Sequence, residues 1–300
     1  MKSETISIGT ELLMGEITDT NSSYIASQLP SLGIDLYWMS TVGDNRSRIV
    51  EVLRRAWGRS DLIITTGGLG PTEDDLTREA IADFLGEKMA VAPALEQWLR
   101  EFFRQRGLSM PERNLKQASL IPSAQALPNP RGTAPGWWVE REGHMIVALP
   151  GPPVEMHFMW EHEAVPRLRQ RASGEIILSR TLKTFGRGEA SVDELVSPFF
   201  ASPNPTLGIY AKPDGVHLRL AAKAGSREET LSLIAPAEAQ LRSLLGDSVW
   251  GQDDDTLEAS VGKMLRERGL TLATMELGTG GSLASVITEA EASDGFYKGG

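Results

Sequence analysis

The sequence predicts an α/β protein, in which a three-layer α/β/α domain with a mostly parallel sheet is followed by a smaller α+β domain. Strand-like and helix-like patterns alternate over residues 1–86, for example in the helix pattern Arg48–Trp57 and the apolar strand pattern Asp61–Thr65. Such alternation is typical of parallel strands whose connecting helices cover both faces of the sheet. In the smaller domain, the turn Pro213–Asp214–Gly215 between two short β-patterns predicts a hairpin.

Apolar spacing and turn residues predict the elements of the larger domain one by one. Tyr24, Ile25, Leu29 and Leu32 follow a helical spacing that ends at Gly33. In chain order, the predicted elements are strand Ile6–Ile8, helix Asn21–Leu32, strand Ile34–Val42, helix Arg48–Trp57, strand Asp61–Thr65, helix Leu76–Phe84, helix Ala94–Arg106, strand His144–Leu149 and helix Val154–Arg171.

The rest of the chain predicts a compact module and a shorter third segment. The predicted elements are strand Glu175–Lys183, helix Glu189–Val196, strands Leu207–Ala211 and Val216–Ala222, helix Arg227–Leu245, helix Thr256–Arg268 and strand Leu270–Met275. A short acidic stretch, Gly251–Asp255, separates the module from the third segment. The predicted domains are therefore residues 1–172, 173–250 and 251–300.

Composition excludes several classes of function. The chain has 300 residues, a formal net charge of −10 and no cysteine. Without cysteine it has no disulfide, thiolate nucleophile or cysteine-bound zinc. The negative charge argues against general affinity for nucleic acid, which needs clustered Lys and Arg. The start of the chain lacks a signal-peptide pattern and no apolar run reaches about 18 residues, so we expect a cytoplasmic protein without membrane insertion.

The most informative stretch is the glycine-rich turn Thr65–Thr77, which joins a buried strand to a helix. Ligands of open α/β sheets bind at this carboxyl edge, where glycines let backbone N–H groups approach phosphate oxygens. The alternative is a loop that only caps the helix. The turn is neither a Walker A loop nor a GxGxxG fingerprint. Its candidate phosphate ligands are Thr66, Gly67, Gly68, Gly70 and Thr72, and its candidate metal ligands are Asp74 and Asp75.

Further polar residues follow neighbouring strands and are expected at the same edge. Asp19 or Asn21 could instead simply cap the helix that follows them. Several carboxylates around one phosphate site require a bridging cation, because like charges this close destabilise one another. A metal ion would neutralise a diphosphate and lower the pKa of a bound water. The additional candidates are Thr10, Glu11, Asp19 and Asn21 after the first strand, Asp44 after the second as a further metal ligand, Gly151 and Glu155 in the proline-rich turn, and Arg131 as a phosphate partner.

Five ordered motifs resemble the competence/damage-inducible CinA family. They are SIGTELLMGEITDTN at Ser7–Asn21, TVGD at Thr41–Asp44, TTGGLGPTEDDLT at Thr65–Thr77, NPRGTAPG at Asn129–Gly136 and LPGPPVEM at Leu149–Met156. The resemblance implies a molybdopterin-binding-like fold for the first domain. It also implies a homodimer and hydrolysis of ADP-ribose, or a similar nucleotide sugar, to AMP and ribose 5-phosphate.

The same resemblance implies a divalent metal ion (Mg, Mn or Co), with potassium as an optional addition. The candidate catalytic residues are Asp75, Asp44, Asp19 and Glu155, and the residue that acts as general base stays open. Asp75 corresponds to an aspartate that molybdopterin-domain relatives keep in their glycine-rich motif. Two alternatives stay open: a pterin-binding or adenylyl-transfer protein of the molybdenum cofactor type, and a non-catalytic competence-related interaction protein.

The second and third domains resemble the remaining parts of the same family. The second is similar to its KH-like domain, but Gly186–Arg187–Gly188 departs from the GxxG loop that clamps nucleic acid, so we expect a spacer or dimerisation role. The third resembles the opening of a nicotinamide mononucleotide deamidase domain. Leu277 stands where that domain has its nucleophilic serine, and residues 251–300 are too few for the whole domain. We therefore expect no deamidase activity.

Overall fold

The computed structural model describes residues 1–171 and 174–300 and divides into two compact units, Met1–Ile176 and Ile177–Gly300. The domain boundary predicted between residues 172 and 173 lies outside the described residues. Each unit has its own main sheet; the first has a hydrophobic core on each face of that sheet, and the second has its own core.

The first unit alternates strands and helices as the sequence predicts. Its strands are β1 (Lys2–Ile8), β2 (Asp35–Val42), β3 (Leu62–Thr66), β4 (Ala90–Val91), β5 (Ser119–Leu120), β6 (Ala124–Leu127), β7 (Gly136–Arg141) and β8 (His144–Leu149). Its helices are α1 (Thr10–Leu13), α2 (Thr20–Gln28), α3 (Arg46–Trp57), α4 (Thr77–Leu85), α5 (Pro93–Arg104), α6 (Pro153–Met159) and α7 (Val165–Arg171). A π-helical turn, Trp160–Ala164, joins α6 to α7.

The main sheet has the strand order β2-β1-β3-β8-β7-β6. The first four strands are parallel, whereas β7 and β6 run antiparallel to their neighbours. This confirms the predicted mostly parallel sheet. The sequence pattern did not predict β6 or β7, which lie between the predicted helix Ala94–Arg106 and the predicted strand His144–Leu149.

Helices cover both faces of the sheet, so the predicted three-layer arrangement is confirmed. Ile63 of β3 packs in one core with α3 and α4, whereas its neighbours Leu62 and Ile64 pack in the other core with α2 and α6. This split follows from the alternation of side chains along a strand. Each fully buried aliphatic side chain contributes about 1.5–3 kcal/mol to the stability of the folded state.

A buried carboxylate lies within the parallel sheet. Glu4 of β1 is 0% exposed and accepts hydrogen bonds from Arg59 Nε (2.9 Å) and Nη2 (2.8 Å) and from Ser40 Oγ (2.7 Å). The Arg59 guanidinium also lies over the Trp38 ring, 4.4 Å from its centre. The hydrogen bond to Glu4 raises the pKa of Arg59 above its ordinary value. These contacts satisfy the buried charge and fix β1 against β2.

The second unit contains a sheet of order β10-β11-β9-β12. Its strands are β9 (Ile176–Thr184), β10 (Thr206–Lys212), β11 (Gly215–Ala224) and β12 (Val249–Gln252), of which β9 begins at the last residue of the first unit. Its helices are α8 (Glu189–Val196), α9 (Arg227–Leu245), α10 (Leu257–Glu267) and α11 (Ser282–Thr288). The antiparallel pairing of β10 with β11 confirms the predicted hairpin. Among the described residues, no helix is long and apolar enough to cross a membrane.

The strand predicted at Leu270–Met275 is wrong. Leu272 forms only an isolated bridge with Tyr297, because the neighbouring segment offers no extended strand for a longer ladder. The preceding helix was predicted correctly to within a residue at each end, at Leu257–Glu267.

Candidate active site

The carboxyl ends of β1 and β3 border a cavity of about 550 Å³. These adjacent strands send their following helices to opposite faces of the sheet, since α2 packs in one core and α4 in the other. Ligands of open α/β sheets bind in the crevice that such a divergence creates. The cavity therefore lies where the sequence places the candidate site.

The glycine turn after β3 requires glycine for steric reasons. Gly67 and Gly68 have φ values of 95° and 65°, in the left-handed region. A Cβ atom on Gly67 would lie 2.1 Å from the carbonyl oxygen of Ile8, and one on Gly68 would lie 2.3 Å from Thr77 Oγ1. The Thr77 hydroxyl donates to the carbonyl oxygen of Gly67 at 2.7 Å. The turn is thus held against both β1 and α4.

Thr72 organises the two aspartates of this turn. Its backbone N–H donates to Asp75 Oδ2 at 2.9 Å, and its hydroxyl lies 2.5 Å from the same oxygen. The hydroxyl also contacts Asp74. The hydrogen bond from Thr72 and the backbone N–H of Asp74 itself lower the pKa of Asp74 below its ordinary value. Asp74 and Asp75 line the cavity, whereas Thr72, a predicted phosphate ligand, does not.

Thr10 and Asp44 bind each other reciprocally. The backbone N–H of Thr10 donates to Asp44 Oδ2 at 2.7 Å, and the backbone N–H of Asp44 donates to Thr10 Oγ1 at 3.1 Å. Asp44 lines the cavity together with Glu11, but Thr10 does not. Thr10 therefore positions Asp44 instead of lining the cavity.

Asp19 both caps helix α2 and lines the cavity. Its carboxylate caps α2 by accepting from the backbone N–H of Ser22 at 3.0 Å, and it accepts from Ser7 Oγ at 2.5 Å. Both of its oxygens are thereby engaged in the fold. Asn21 donates from Nδ2 to the carbonyl oxygen of Gly151 at 2.7 Å and so joins α2 to the proline-rich turn. Asp19, Asn21 and Gly151 all line the cavity.

Glu155 reaches the cavity from α6. Its Oε2 accepts from Asn129 Nδ2 at 2.6 Å, which fixes it against the 129–135 loop. Arg131, the predicted phosphate partner, is not among the residues that line the cavity. Its guanidinium lies over the Phe158 ring, 4.7 Å from the centre. The structure therefore brings Glu155, but not Arg131, to the cavity.

The cavity is strongly acidic. Six carboxylates line it and, among the described residues, no lysine, arginine or histidine does; the acids are Glu11, Asp19, Asp44, Asp74, Asp75 and Glu155. Within the described ranges, no three or more of these side chains come close enough together to hold a metal ion by themselves. Proteins commonly bind Mg²⁺ through one or two carboxylates plus phosphates of the substrate. The donor set fits a cation that is shared with a phosphate ligand.

Two basic residues near the cavity were not predicted. Arg78 of α4 is fully buried, and its guanidinium donates to the carbonyl oxygens of Leu69 at 2.7 Å and Pro135 at 2.8 Å. Lys116 donates from Nζ to the carbonyl oxygens of Thr72 (3.0 Å) and Asp75. The contact of Arg78 with Pro135 joins residues 57 positions apart, and the contacts of Lys116 join residues 44 and 41 positions apart. Local sequence spacing therefore cannot predict that either basic residue lies near the cavity.

Replacing Lys116 with Met is expected to destabilise the first unit by about 1–3 kcal/mol, because the part-buried carbonyl oxygen of Asp75 and the carboxylate of Glu79 lose their donor. Lys116 also pairs with Glu79 at 2.9 Å, and both side chains are largely buried. Urea unfolding measures the change. Lys88→Met is the matched control, since Lys88 is exposed in the same unit, and its effect should stay within about 0.5 kcal/mol. Equal effects of the two substitutions would contradict a structural role for Lys116.

Two family models match the chain. One is described as "Probable molybdopterin binding domain" and covers residues 4–170, and the other as "Damage-inducible protein CinA KH domain" and covers residues 179–251. The first covers more than half of the chain and spans the whole cavity.

Individual relatives agree with these models. A CinA-like protein from Thermomicrobium roseum is 49% identical over 298 residues, which are 99% of this chain and 73% of the relative. A CinA-like protein from Deinococcus radiodurans is 45% identical over 293 residues, which are 96% of this chain and 72% of the relative. A crystal structure of CinA from Thermoplasma acidophilum superposes with a TM-score of 0.52 at 30% identity and covers 55% of this chain and 98% of its own. The chain belongs to the CinA family.

Proposed function

We propose that the first unit hydrolyses the diphosphate of ADP-ribose, or of a similar nucleotide sugar, to AMP and ribose 5-phosphate with the help of a divalent cation. The observation that carries the proposal is the cavity at the divergence of β1 and β3, where the glycine turn meets six carboxylates. Membership of the CinA family is consistent with this activity.

The negative charge of the cavity indicates that a diphosphate needs a cation in order to bind there. A diphosphate is an anion, and a cavity lined by carboxylates without lysine, arginine or histidine would repel it. A divalent cation bound by some of these carboxylates would remove this repulsion. One or two of the carboxylates of Asp44, Asp74 and Asp75 would hold it, and the phosphates of the substrate would supply further ligands. When bound, the cation supplies charge neutralisation of the diphosphate and a lowered pKa for a coordinated water.

We assign phosphate binding and proton transfer to residues of the chain itself. The backbone N–H groups of Gly68–Gly70 bind phosphate oxygens, whereas that of Gly67 donates to the carbonyl oxygen of Leu149 at 3.0 Å. Glu155, steadied by Asn129, takes the proton of the attacking water. The water oxygen bonds to one phosphorus while the bridging P–O bond breaks, so that each product leaves as a phosphate monoester. Asp19 acts by holding α2 and the loop before it, since both of its oxygens accept hydrogen bonds from the fold.

The test is release of AMP from ADP-ribose by the purified chain. We expect release with Mg²⁺, Mn²⁺ or Co²⁺ and a loss of at least about 100-fold after chelation by EDTA, because the repulsion between diphosphate and carboxylates returns. Potassium is varied separately. Chromatography separates AMP from the substrate and identifies ribose 5-phosphate as the second product. An absence of AMP with every cation would refute the proposal.

A second candidate function is binding of a pterin or its adenylate, as in molybdenum cofactor synthesis. It is favoured by the family model described as "Probable molybdopterin binding domain" over residues 4–170. Calorimetric titration with ADP-ribose and with adenylated molybdopterin separates the two functions. Tighter binding of the pterin adenylate, without hydrolysis of ADP-ribose, would favour this second candidate.

A further inference from the structure

A fully buried arginine lies behind two walls of the acidic cavity. Arg78 donates from Nη1 to the carbonyl oxygen of Leu69 and from Nη2 to that of Pro135. Leu69 belongs to the glycine turn and lines the cavity, as does Ala134, the neighbour of Pro135. One side chain therefore ties the phosphate-binding turn to the 129–135 loop behind the cavity wall.

The charge of Arg78 has no carboxylate partner at ion-pair distance among the residues that the structure describes. Carbonyl oxygens bear only partial negative charge, so these two hydrogen bonds do not replace an ion pair. Burial lowers the pKa of Arg78 to about 10, against the opposing charges of Glu79 and Asp75, and the guanidinium remains protonated at pH 7. Burying a charge without an ion-pair partner lowers the stability of the fold. A functional role for this charge would explain why the fold contains it.

We propose that Arg78 is the positioning residue of the anion site: it holds the glycine turn and the 129–135 loop in register and supplies the fixed positive charge behind them. The inference rests on the proposed function, because it takes the cavity to bind a diphosphate. A bidentate guanidinium suits this role, since two N–H groups at a fixed angle reach two carbonyl oxygens at once. An anion in the cavity then meets a positive potential that no lining side chain provides.

The experiment compares Arg78→Met and Arg78→Lys with the wild-type chain, using Mg²⁺ and inorganic pyrophosphate as the probe in calorimetric titrations. Arg78→Met, checked for folding by circular dichroism, should lose at least about tenfold in pyrophosphate affinity. Arg78→Lys keeps one N–H donor group and, while protonated, the positive charge, so it should lose clearly less affinity than Arg78→Met. Arg100→Met, which removes an exposed arginine from α5, is the control and should bind as the wild type does.

Hydrogen exchange gives a second readout that does not depend on Arg78→Met folding. Arg78→Lys keeps one positive group but cannot reach both carbonyls with the same fixed geometry, so the amides of residues 67–70 and 132–134 should exchange faster together while β1 is unchanged. Unchanged exchange in these two segments would overturn the proposal. So would wild-type affinity in a folded Arg78→Met, an equal loss in the Lys and Met variants, or no pyrophosphate binding by the wild type. Intact, Arg78-dependent pyrophosphate binding without hydrolysis of ADP-ribose would sink only the proposed function.

Discussion

Replacing Asp75 with Asn is expected to lower the rate of AMP release from ADP-ribose by at least about 100-fold, because the cation loses a charged ligand. The fold should persist. The amide oxygen of the substituted side chain can still accept from the backbone N–H of Thr72, as Asp75 Oδ2 does at 2.9 Å. The loss should therefore appear in kcat, with a change in the free energy of unfolding below about 1 kcal/mol.

Asp61→Asn is the matched control for this substitution. Asp61 precedes β3 at the opposite edge of the sheet, where its carboxylate accepts from the backbone N–H of Lys2 at 2.8 Å. Its variant should turn over at the wild-type rate. Wild-type turnover by Asp75→Asn, measured at saturating Mg²⁺, would remove Asp75 from the catalytic site.

Removing Arg59 is expected to have the largest effect on stability. Arg59→Met leaves the carboxylate of Glu4 buried with only Ser40 as a side-chain donor, and loss of one partner of a buried ion pair typically costs about 3–5 kcal/mol. The converse change, Glu4→Gln, should cost less, because Arg59 retains 36% exposure of its side chain and can turn to water.

Urea unfolding of both variants measures this asymmetry. Arg55→Met serves as the control, since Arg55 forms an exposed pair with Glu51 on α3 and its loss should change stability by no more than about 0.5 kcal/mol. A smaller loss for Arg59→Met than for Glu4→Gln would contradict the view that the buried carboxylate depends on its arginine.

The parallel sheet and the place of the cavity were predictable because their signals are local. The patterns that predicted strand Ile34–Val42 and helix Arg48–Trp57 came within two residues of β2 and α3. The position of the glycine turn after a buried strand then placed it at the carboxyl edge of the sheet. Asp19 could be read either as a cap or as a site residue, and it is both a cap and a cavity-lining residue.

Other features depend on contacts that sequence spacing does not encode. Strand β7 was missed because Trp137 and Trp138 are both buried, one in each core, so the strand lacks the alternation of a half-exposed strand. Leu270–Met275 has the apolar pattern of a strand, yet a strand also needs a neighbour to pair with. Arg78 looks like any helical arginine until the fold brings Pro135 within 2.8 Å of it.

The central claim is that the diphosphate of a nucleotide sugar binds in the cavity at the carboxyl ends of β1 and β3. A crystal structure of the chain with Mg²⁺ and the α,β-methylene analogue of ADP-ribose tests it most directly. We expect phosphonate oxygens at about 3 Å from backbone N–H groups of Gly68–Gly70, with the cation against Asp44 or Asp75. An analogue bound outside this cavity, or one whose diphosphate group lies away from the glycine turn, would contradict the claim.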